Sequence, residues 1–317
     1  MKHEKVIPAE TPLVEFSKEK MKKLVKSFTP DKLASFLDVT DLNADTQSPK
    51  INKMVDWAKN FGCASICVNP VEVDILPGLL QGSNVKECYV LDFPLGKMDI
   101  EMKAALTAHT VKNSRKNRGE GKGKIDLDMV INVGRFKKDP KYTLEEINSM
   151  CEAADGEHVK VIVRSAELTE DELYKVSEVV AESKAHFIKN STGMDAYGAM
   201  PEHIRIMREV VGNTKGVKAA GGISDAMTSL RLMYAGALDE SLQTPELFRL
   251  GTSKPLQIIT SMGWLLYNTD NWIDAGVIPC TICPFNYTGK LRVEIREASN
   301  RRCQACKFKE YRKHKEF

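Results

Sequence analysis

The sequence predicts a (β/α)8 barrel, an α/β fold in which eight parallel strands alternate with helices. Between residues 34 and 254, eight short runs rich in β-branched residues are separated by stretches of helical periodicity. Most runs are continuously apolar, as expected for strands buried on both faces. A doubly wound open sheet is the alternative, but the Gly-x-Gly-x-x-Gly turn that often follows its first strand does not occur. The predicted strands cover residues 34–40, 64–69, 87–93, 127–133, 159–164, 186–190, 216–220 and 247–252.

Helices are predicted from the spacing of the apolar residues and from capping residues such as Thr169 and Ser224. One or two additional helices are expected within residues 12–33, before the first strand. Residues 112–124 are basic and rich in glycine, which predicts a solvated loop ahead of the fourth strand. Steering of an anionic ligand is a second interpretation of that loop. The predicted helices cover residues 48–61, 143–155, 169–183, 201–211 and 224–235.

The composition is that of a soluble globular protein, with 317 residues, 42% hydrophobic and 28% charged. This length fits one large domain with an appendage, or two domains. The formal net charge of +3 is too small to favour nucleic acid as the main partner. No apolar stretch approaches the roughly 18 residues of a membrane span, and the N-terminus has no apolar core of a secretory signal. We therefore expect a cytoplasmic protein without a membrane partner.

Two lysines end apolar runs in consecutive predicted strands, and glycine follows each of them closely. They are Lys189 in AHFIKNSTG (185–193) and Lys218 in GVKAAGGI (216–223). A buried amine beside a second cation has a lowered pKa, and a neutral amine can attack a carbonyl to form a Schiff base. Either lysine alone could be a snorkelling residue at a strand end. The pair favours Schiff-base chemistry.

Schiff-base chemistry also needs a group that moves protons, and barrel enzymes place such groups at the C-terminal ends of strands. Asp128 in the fourth strand fits this role, with Asp38 in the first strand as a partner for Lys218. Each carboxylate could instead be a buried salt-bridge partner. Glycine-containing turns after strands six to eight predict a backbone nest for phosphate. The glycines concerned are Gly193, Gly221, Gly222 and Gly251.

Seven motifs of the chain resemble those of deoxyribose-phosphate aldolase. The similarity covers about residues 30–258 and keeps the family's order and spacing. The motifs are FLDVTDLN (36–43), SICVNP (65–70), DFPLG (92–96), DLDMVINVG (126–134), FIKNSTG (187–193), VKAAGGI (217–223) and LFRLGTS (247–253).

The resemblance implies a class I aldolase that needs no metal or other cofactor for catalysis. It would cleave 2-deoxyribose 5-phosphate to glyceraldehyde 3-phosphate and acetaldehyde. Lys189 would form the Schiff base, and Lys218 would lower the pKa of Lys189. Asp128 would relay protons, and Asp38 would orient the relay. The candidate substrate-binding residues are Thr40, Cys67, Gly193, Gly221, Gly222, Ser253 and Lys254.

Four residues depart from the family's usual pattern. Met194 replaces a lysine, Asn190 a threonine, Lys254 a serine or threonine, and Arg164 a glutamate. The loss of a lysine should weaken phosphate binding unless Lys254 or Arg164 restores the charge. One alternative is therefore an aldolase of this family with another carbonyl or sugar-phosphate substrate. A second is a non-catalytic barrel whose C-terminal tail is the working part.

The C-terminal tail contains two Cys-x-x-Cys pairs separated by nineteen residues. This spacing predicts a zinc-ribbon-like site with four thiolate ligands, in which the zinc ion is structural because no coordination position stays open. Disulfides or redox pairs are the alternatives. The basic surroundings of the tail fit a solvated surface or a subunit contact better than nucleic-acid binding, and homodimers are common among barrels of this kind. The predicted ligands are Cys280, Cys283, Cys303 and Cys306, and the predicted domains are 1–29, 30–269 and 270–317.

Overall fold

A computed structural model describes residues 14–119 and 123–267 of the chain. Eight parallel strands form a closed barrel in chain order, and the last strand pairs with the first. The predicted (β/α)8 fold is therefore confirmed. The strands are β1 (Leu37–Thr40), β2 (Ser65–Val68), β3 (Lys86–Leu91), β4 (Ile125–Val130), β5 (His158–Ile162), β6 (Phe187–Lys189), β7 (Gly216–Ala220) and β8 (Phe248–Thr252).

Helices follow the strands, and two short ones precede β1, as expected. The first packs against the last two helices of the described chain, and the second packs against the last one. The second ends at Ala34, and β1 therefore begins three residues later than predicted. The helices are α1 (Lys18–Lys26), α2 (Pro30–Ala34), α3 (Ser48–Phe61), α4 (Leu76–Leu80), α5 (Ile100–Arg118), α6 (Val133–Lys138), α7 (Pro140–Ala153), α8 (Glu170–Glu182), α9 (Pro201–Val211), α10 (Ala226–Gly236) and α11 (Pro255–Tyr267).

The prediction of a solvated loop over residues 112–124 is wrong for most of its length. Residues 112–118 form the end of α5, and Arg118 is buried. Its guanidinium contacts the buried Glu87 of β3 at 3.0 Å, and Ser114 donates to the same carboxylate. The basic segment 112–118 is therefore helical and partly buried, because the charge of Arg118 is paired with the buried Glu87.

Most of the apolar core lies between the barrel and its helices. Inside the barrel, several positions hold charged side chains with almost no solvent exposure. Such burial requires that each charge have an opposite charge or a hydrogen-bond partner nearby. The barrel interior is therefore the place to look for chemistry.

None of the helices in the described ranges combines the length and apolarity required to span a bilayer. The four cysteines of the predicted zinc site lie outside the described residues.

Candidate active site

The two lysines predicted from the sequence lie side by side inside the barrel. Lys189 on β6 and Lys218 on β7 are register partners of adjacent parallel strands, and both are buried. The Nζ atom of Lys189 is 2.8 Å from Oδ2 of Asp128, and the Nζ atom of Lys218 is 2.7 Å from the same oxygen. Because both nitrogens share one oxygen, the two lysines are close neighbours.

Asp128 and Lys218 belong to a closed ring of six alternating charges inside the barrel, here called the charge ring. Lys218 Nζ lies 2.5 Å from Asp38, and Arg249 bonds Asp38 at 2.7 Å. On the other side, Lys160 lies between Asp126 at 2.5 Å and Asp128 at 3.6 Å. Arg249 closes the ring at 3.5 Å from Asp126. The members in order are Asp126, Lys160, Asp128, Lys218, Asp38 and Arg249.

The ring holds its members in their charged forms. Burial alone would raise the pKa of Asp128, but Lys189, Lys218 and Lys160 lower it well below its usual range. Burial alone would lower the pKa of Lys218, yet Asp128 and Asp38 raise it well above its usual value. Lys218 is therefore a permanent cation beside Lys189.

Lys189 lies outside the charge ring and contacts it through Asp128. The ring contains three carboxylates and three cations, and Lys86 also lies 3.6 Å from Asp126. The carboxylates of the ring are therefore matched by cations before Lys189 is counted.

Asp38 lies where the sequence predicted, as a partner of Lys218. Its carboxylate also accepts a hydrogen bond from Ser65 at 2.7 Å. Burial opposes ionisation of Asp38, but Lys218 and Arg249 together lower its pKa far below the usual range. Asp38 thus fixes the position and the charge of Lys218.

Three members of the charge ring, Asp126, Lys160 and Arg249, were not predicted from the sequence as site residues. A charged residue inside an apolar strand was the signal used for Lys189 and Lys218. The same signal occurs in HVKVI of β5 and FRLGT of β8.

The two predicted substrate-binding residues of the first strands lie at different depths. Cys67 on β2 is fully buried, and its sulfur lies within 4.8 Å of a carboxylate oxygen of Asp128. Thr40 is half-buried, and its hydroxyl donates to the carbonyl oxygen of Asp38 at 2.8 Å. Cys67 thus lies close to the lysines, whereas Thr40 lies at the C-terminal end of β1.

Three glycines of the predicted phosphate nest lie in the turns after β6 and β7, whereas Gly251 lies within β8. Gly193, Gly221 and Gly222 have φ angles of 82°, 93° and 75°, where side chains are strained. A Cβ atom on Gly221 would lie only 2.7 Å from the Cα atom of Gly198 in the preceding loop. The two turns therefore approach each other so closely that glycine is required.

Asn190, one of the departures from the family pattern, joins the two lysine strands. Its side-chain amide donates to the carbonyl of Ala220 at 3.2 Å and accepts from the N–H of Ala220 at 2.8 Å. These bonds continue the pairing of β6 and β7 one position beyond Lys189.

The charges at the predicted phosphate site differ from the expectation. Arg164 donates to the buried carboxylate of Asp195 at 2.8 Å and contacts Glu167 at 3.3 Å, so its charge is already neutralised. Lys254 is exposed after β8, next to the exposed Ser253. Of the two cations that could replace the missing lysine, Lys254 is therefore the one available to bind an anion.

No protein-family model matches the chain, but the chain is similar to known proteins. A deoxyribose-phosphate aldolase of Clostridium perfringens strain SM101 is 41% identical over 207 residues, which are 65% of this chain and 88% of that protein. One of Malacoplasma penetrans is 37% identical over 232 residues, or 73% of this chain and 96% of that protein. The chain belongs to the deoxyribose-phosphate aldolase family.

Solved structures show the same fold. The tetrameric deoxyribose phosphate aldolase of Aeropyrum pernix has a TM-score of 0.67 at 24% identity, covering 79% of this chain and all of that one. A solved aldolase named QR15 has a TM-score of 0.62 at 28% identity, covering 72% and 94%. The family's fold therefore extends over the described barrel.

Proposed function

We propose that the chain is a class I aldolase that reversibly cleaves 2-deoxyribose 5-phosphate to glyceraldehyde 3-phosphate and acetaldehyde. The observation that carries this proposal is the shared contact of Lys189 and Lys218 with one oxygen of Asp128. Membership of the family supplies the substrate class. The chemistry needs no cofactor, because the attacking amine and the proton carrier are both side chains.

In the proposed mechanism, the neutral amine of Lys189 attacks the substrate aldehyde and water leaves, giving a protonated Schiff base. Asp128, whose carboxylate oxygen lies 2.8 Å from Nζ of Lys189, stabilises this cation. Asp128, directly or through a water, accepts the proton of the substrate hydroxyl as the carbon–carbon bond breaks, which releases glyceraldehyde 3-phosphate and leaves the two-carbon unit on Lys189 as an enamine. Protonation of the enamine carbon and hydrolysis of the resulting Schiff base then release acetaldehyde and the free amine. Lys218 remains charged throughout and favours the neutral form of Lys189 before each cycle.

The phosphate would lie at the glycine turns after β6 and β7, within reach of Lys254 and Ser253 after β8. Backbone N–H groups of such turns bind anions. With Met194 in place of a lysine and Arg164 paired to Asp195, Lys254 supplies the positive charge. With fewer positive charges at this site, the enzyme should discriminate less strongly between phosphorylated and unphosphorylated substrates. An aldolase with another acceptor aldehyde therefore remains the second candidate.

Borohydride trapping tests the proposal. The protein is mixed with 2-deoxyribose 5-phosphate and reduced, and the modified peptide is mapped by mass spectrometry. We expect one adduct on Lys189, and none in Lys189→Met. An adduct on another lysine, or none in folded protein, would overturn the assignment. The same trapping with unphosphorylated 2-deoxyribose separates the two candidate substrates, because an equal yield would favour the second.

Other features remain proposals that rest on the sequence. We propose that Cys280, Cys283, Cys303 and Cys306 bind one structural zinc ion, and that the domains are 1–29, 30–269 and 270–317. A homodimer and a cytoplasmic location are proposed with them.

A further inference from the structure

Two buried cysteines lie side by side close to Lys218, whose Nζ atom is 4.0 Å from the sulfur of Cys88. Cys67 on β2 and Cys88 on β3 are register partners of adjacent parallel strands, so their side chains point to the same face of the sheet. Both are fully buried free thiols. The two sulfur atoms and a carboxylate oxygen of Asp128 all lie within 4.8 Å of one another.

We propose that Cys67 and Cys88 are a thiol pair that closes to a disulfide under oxidation and thereby switches the aldolase site off. The proposal rests on the function proposed above. Neighbouring strands lie about 4.8 Å apart, which is within the Cα separation of about 4.4–6.8 Å that a disulfide requires. The pair can therefore close without a large movement of the barrel.

The chemistry is a two-electron oxidation with a peroxide as the oxidant. One thiol attacks the peroxide, giving a sulfenic acid and one water. The second thiol then attacks that sulfur, so that the sulfur–sulfur bond forms and a second water leaves. A dithiol reductant returns both thiols and is itself oxidised to a disulfide.

The electrostatic surroundings favour Cys67 as the first thiol to react. Interaction with the neighbouring Cys88 lowers the pKa of Cys67, and Lys218 and Lys189 add to this effect against the opposing effect of burial. By contrast, burial raises the pKa of Cys63 and of Cys151 to about 12. Thiolate character controls cysteine oxidation, so Cys63 and Cys151 are natural controls.

Closure of the disulfide would act on the catalytic carboxylate. The thiol of Cys88 donates to Oδ1 of Asp128 at 3.2 Å, while both lysines contact Oδ2. A disulfide has no S–H group, so Asp128 would lose this hydrogen bond. Closure of the disulfide would also move the sulfur of Cys88 toward Cys67 and away from the carboxylate of Asp128.

Metal binding by the same three side chains is a poorer explanation of their proximity. A cation bound to Cys67, Cys88 and Asp128 would displace Lys189 and Lys218 from the carboxylate. It would also add positive charge close to the cations Lys218 and Lys160, which lie 2.7 Å and 3.6 Å from Asp128. Oxidation of the two thiols adds no charge.

The test treats the full-length protein with hydrogen peroxide and then with dithiothreitol, and measures aldolase activity and disulfide linkage. Trypsin cleaves after Lys86, which separates Cys67 in peptide 60–86 from Cys88 in peptide 87–97. We expect at least a tenfold loss of activity, recovery on reduction, and a linked pair of these peptides. Each variant is compared with its own activity before oxidation.

Four variants make the result specific. Cys63→Ser and Cys151→Ser should keep the peptide linkage and the reversible loss of activity. Because Cys63 and Cys67 lie in the same tryptic peptide, a linkage that persists in Cys63→Ser identifies Cys67 as the linked cysteine. Cys67→Ser and Cys88→Ser should lose the linkage and the reversible loss. Reversible inactivation without the linked peptides, or linkage with unchanged activity, would overturn the proposal. If the protein shows no aldolase activity, the function fails, yet the peptide linkage still reports on the thiol pair.

Discussion

In the proposed mechanism Lys218 forms no bond to the substrate and acts through its charge. It is fully buried and contacts both Asp38 and Asp128. These two carboxylates raise its pKa against the opposing effect of burial, so Lys218 keeps its proton. The proposed nucleophile Lys189 shares one of these carboxylates, Asp128.

We predict that Lys218→Met shifts the pH optimum of the aldolase reaction upward by about one unit and lowers the rate at pH 7 at least tenfold. Without the neighbouring charge, the amine of Lys189 keeps its proton to higher pH. Lys218→Arg is the conservative control and should keep the optimum. The measurement is the pH profile of kcat/KM in folded protein, and an unshifted profile for the methionine variant would remove Lys218 from the mechanism.

Lys254 is predicted to set the affinity for the phosphate group. Lys254→Ser should raise KM for 2-deoxyribose 5-phosphate about tenfold, the equivalent of about 1.4 kcal/mol, and leave kcat nearly unchanged. Values for unphosphorylated 2-deoxyribose should not change. The exposed Lys184, which pairs with Glu152 on the outer surface, gives the matched control Lys184→Ser. Equal effects on both sugars would show that Lys254 does not meet the phosphate.

At this scale the sequence predicted residues that lie together in the structure, but not all of their partners. Lys189, Lys218, Asp128 and Asp38 were predicted together, and the structure places them in contact. Arg164 was a candidate for the phosphate, yet it pairs with Asp195, thirty-one residues away in the chain. Contacts between distant residues depend on the closure of the barrel, and a linear motif does not reveal them.

At the scale of the strands, the charge ring couples β1, β4, β5, β7 and β8. Each of these strands contributes at least one charged side chain to the interior, and the two aspartates of β4 lie two positions apart. Residues two apart in a strand point to the same face, so Asp126 and Asp128 both face inward. The ring therefore depends on the register of the barrel.

We predict that Lys160→Met lowers the free energy of unfolding by about 3–5 kcal/mol, because it leaves Asp126 without its closest cation. Asp126→Asn combined with Lys160→Met should recover part of this loss, since no carboxylate then stays without its partner. Denaturant unfolding of the wild type, both single variants and the double variant measures the coupling. Strictly additive losses would contradict a direct interaction between the two residues.

A second prediction concerns the N-terminal end of β5. Burial and the neighbouring Lys86 lower the pKa of His158 from 6.5 to about 4, against the opposing effect of Asp126. The unfolded chain therefore binds more protons between pH 6.5 and pH 4, and stability falls as the pH falls through this window.

His158→Asn should make the decrease of Tm between pH 6.5 and pH 4 shallower than in the wild type. His109→Asn, on the exposed side of α5, is the matched control for loss of an imidazole. If Tm falls with pH as steeply in His158→Asn as in the wild type, His158 does not contribute to the acid sensitivity of the fold.

The elements themselves were largely predictable. All eight strands were located, because buried parallel strands give continuous apolar runs. The end of α5 was assigned to a loop because its charges and the following glycines resemble a solvated segment. The buried pairing of Arg118 with Glu87 overrides that local signal, and it joins residues of different elements.

For the molecule as a whole, the four tail cysteines give the remaining prediction. Metal analysis of the full-length protein should find close to one zinc ion per chain, because two Cys-x-x-Cys pairs supply four thiolates. Replacing the first pair, Cys280→Ser with Cys283→Ser, should abolish zinc binding, and Cys63→Ser in the barrel is the control. Full zinc content in the first variant, or metal-free wild type, would exclude the site.

The side chain of Asn190 has a consequence for motion in the barrel. It replaces a missing main-chain rung, so that β6 and β7 stay paired beyond the positions of both lysines. The Cα atoms of Lys189 and Lys218 are therefore held at the spacing of neighbouring strands. The Nζ atoms are positioned differently, because each depends on its contact with Oδ2 of Asp128. Strand pairing thus sets where the two side chains begin, and a carboxylate on a third strand sets where they end.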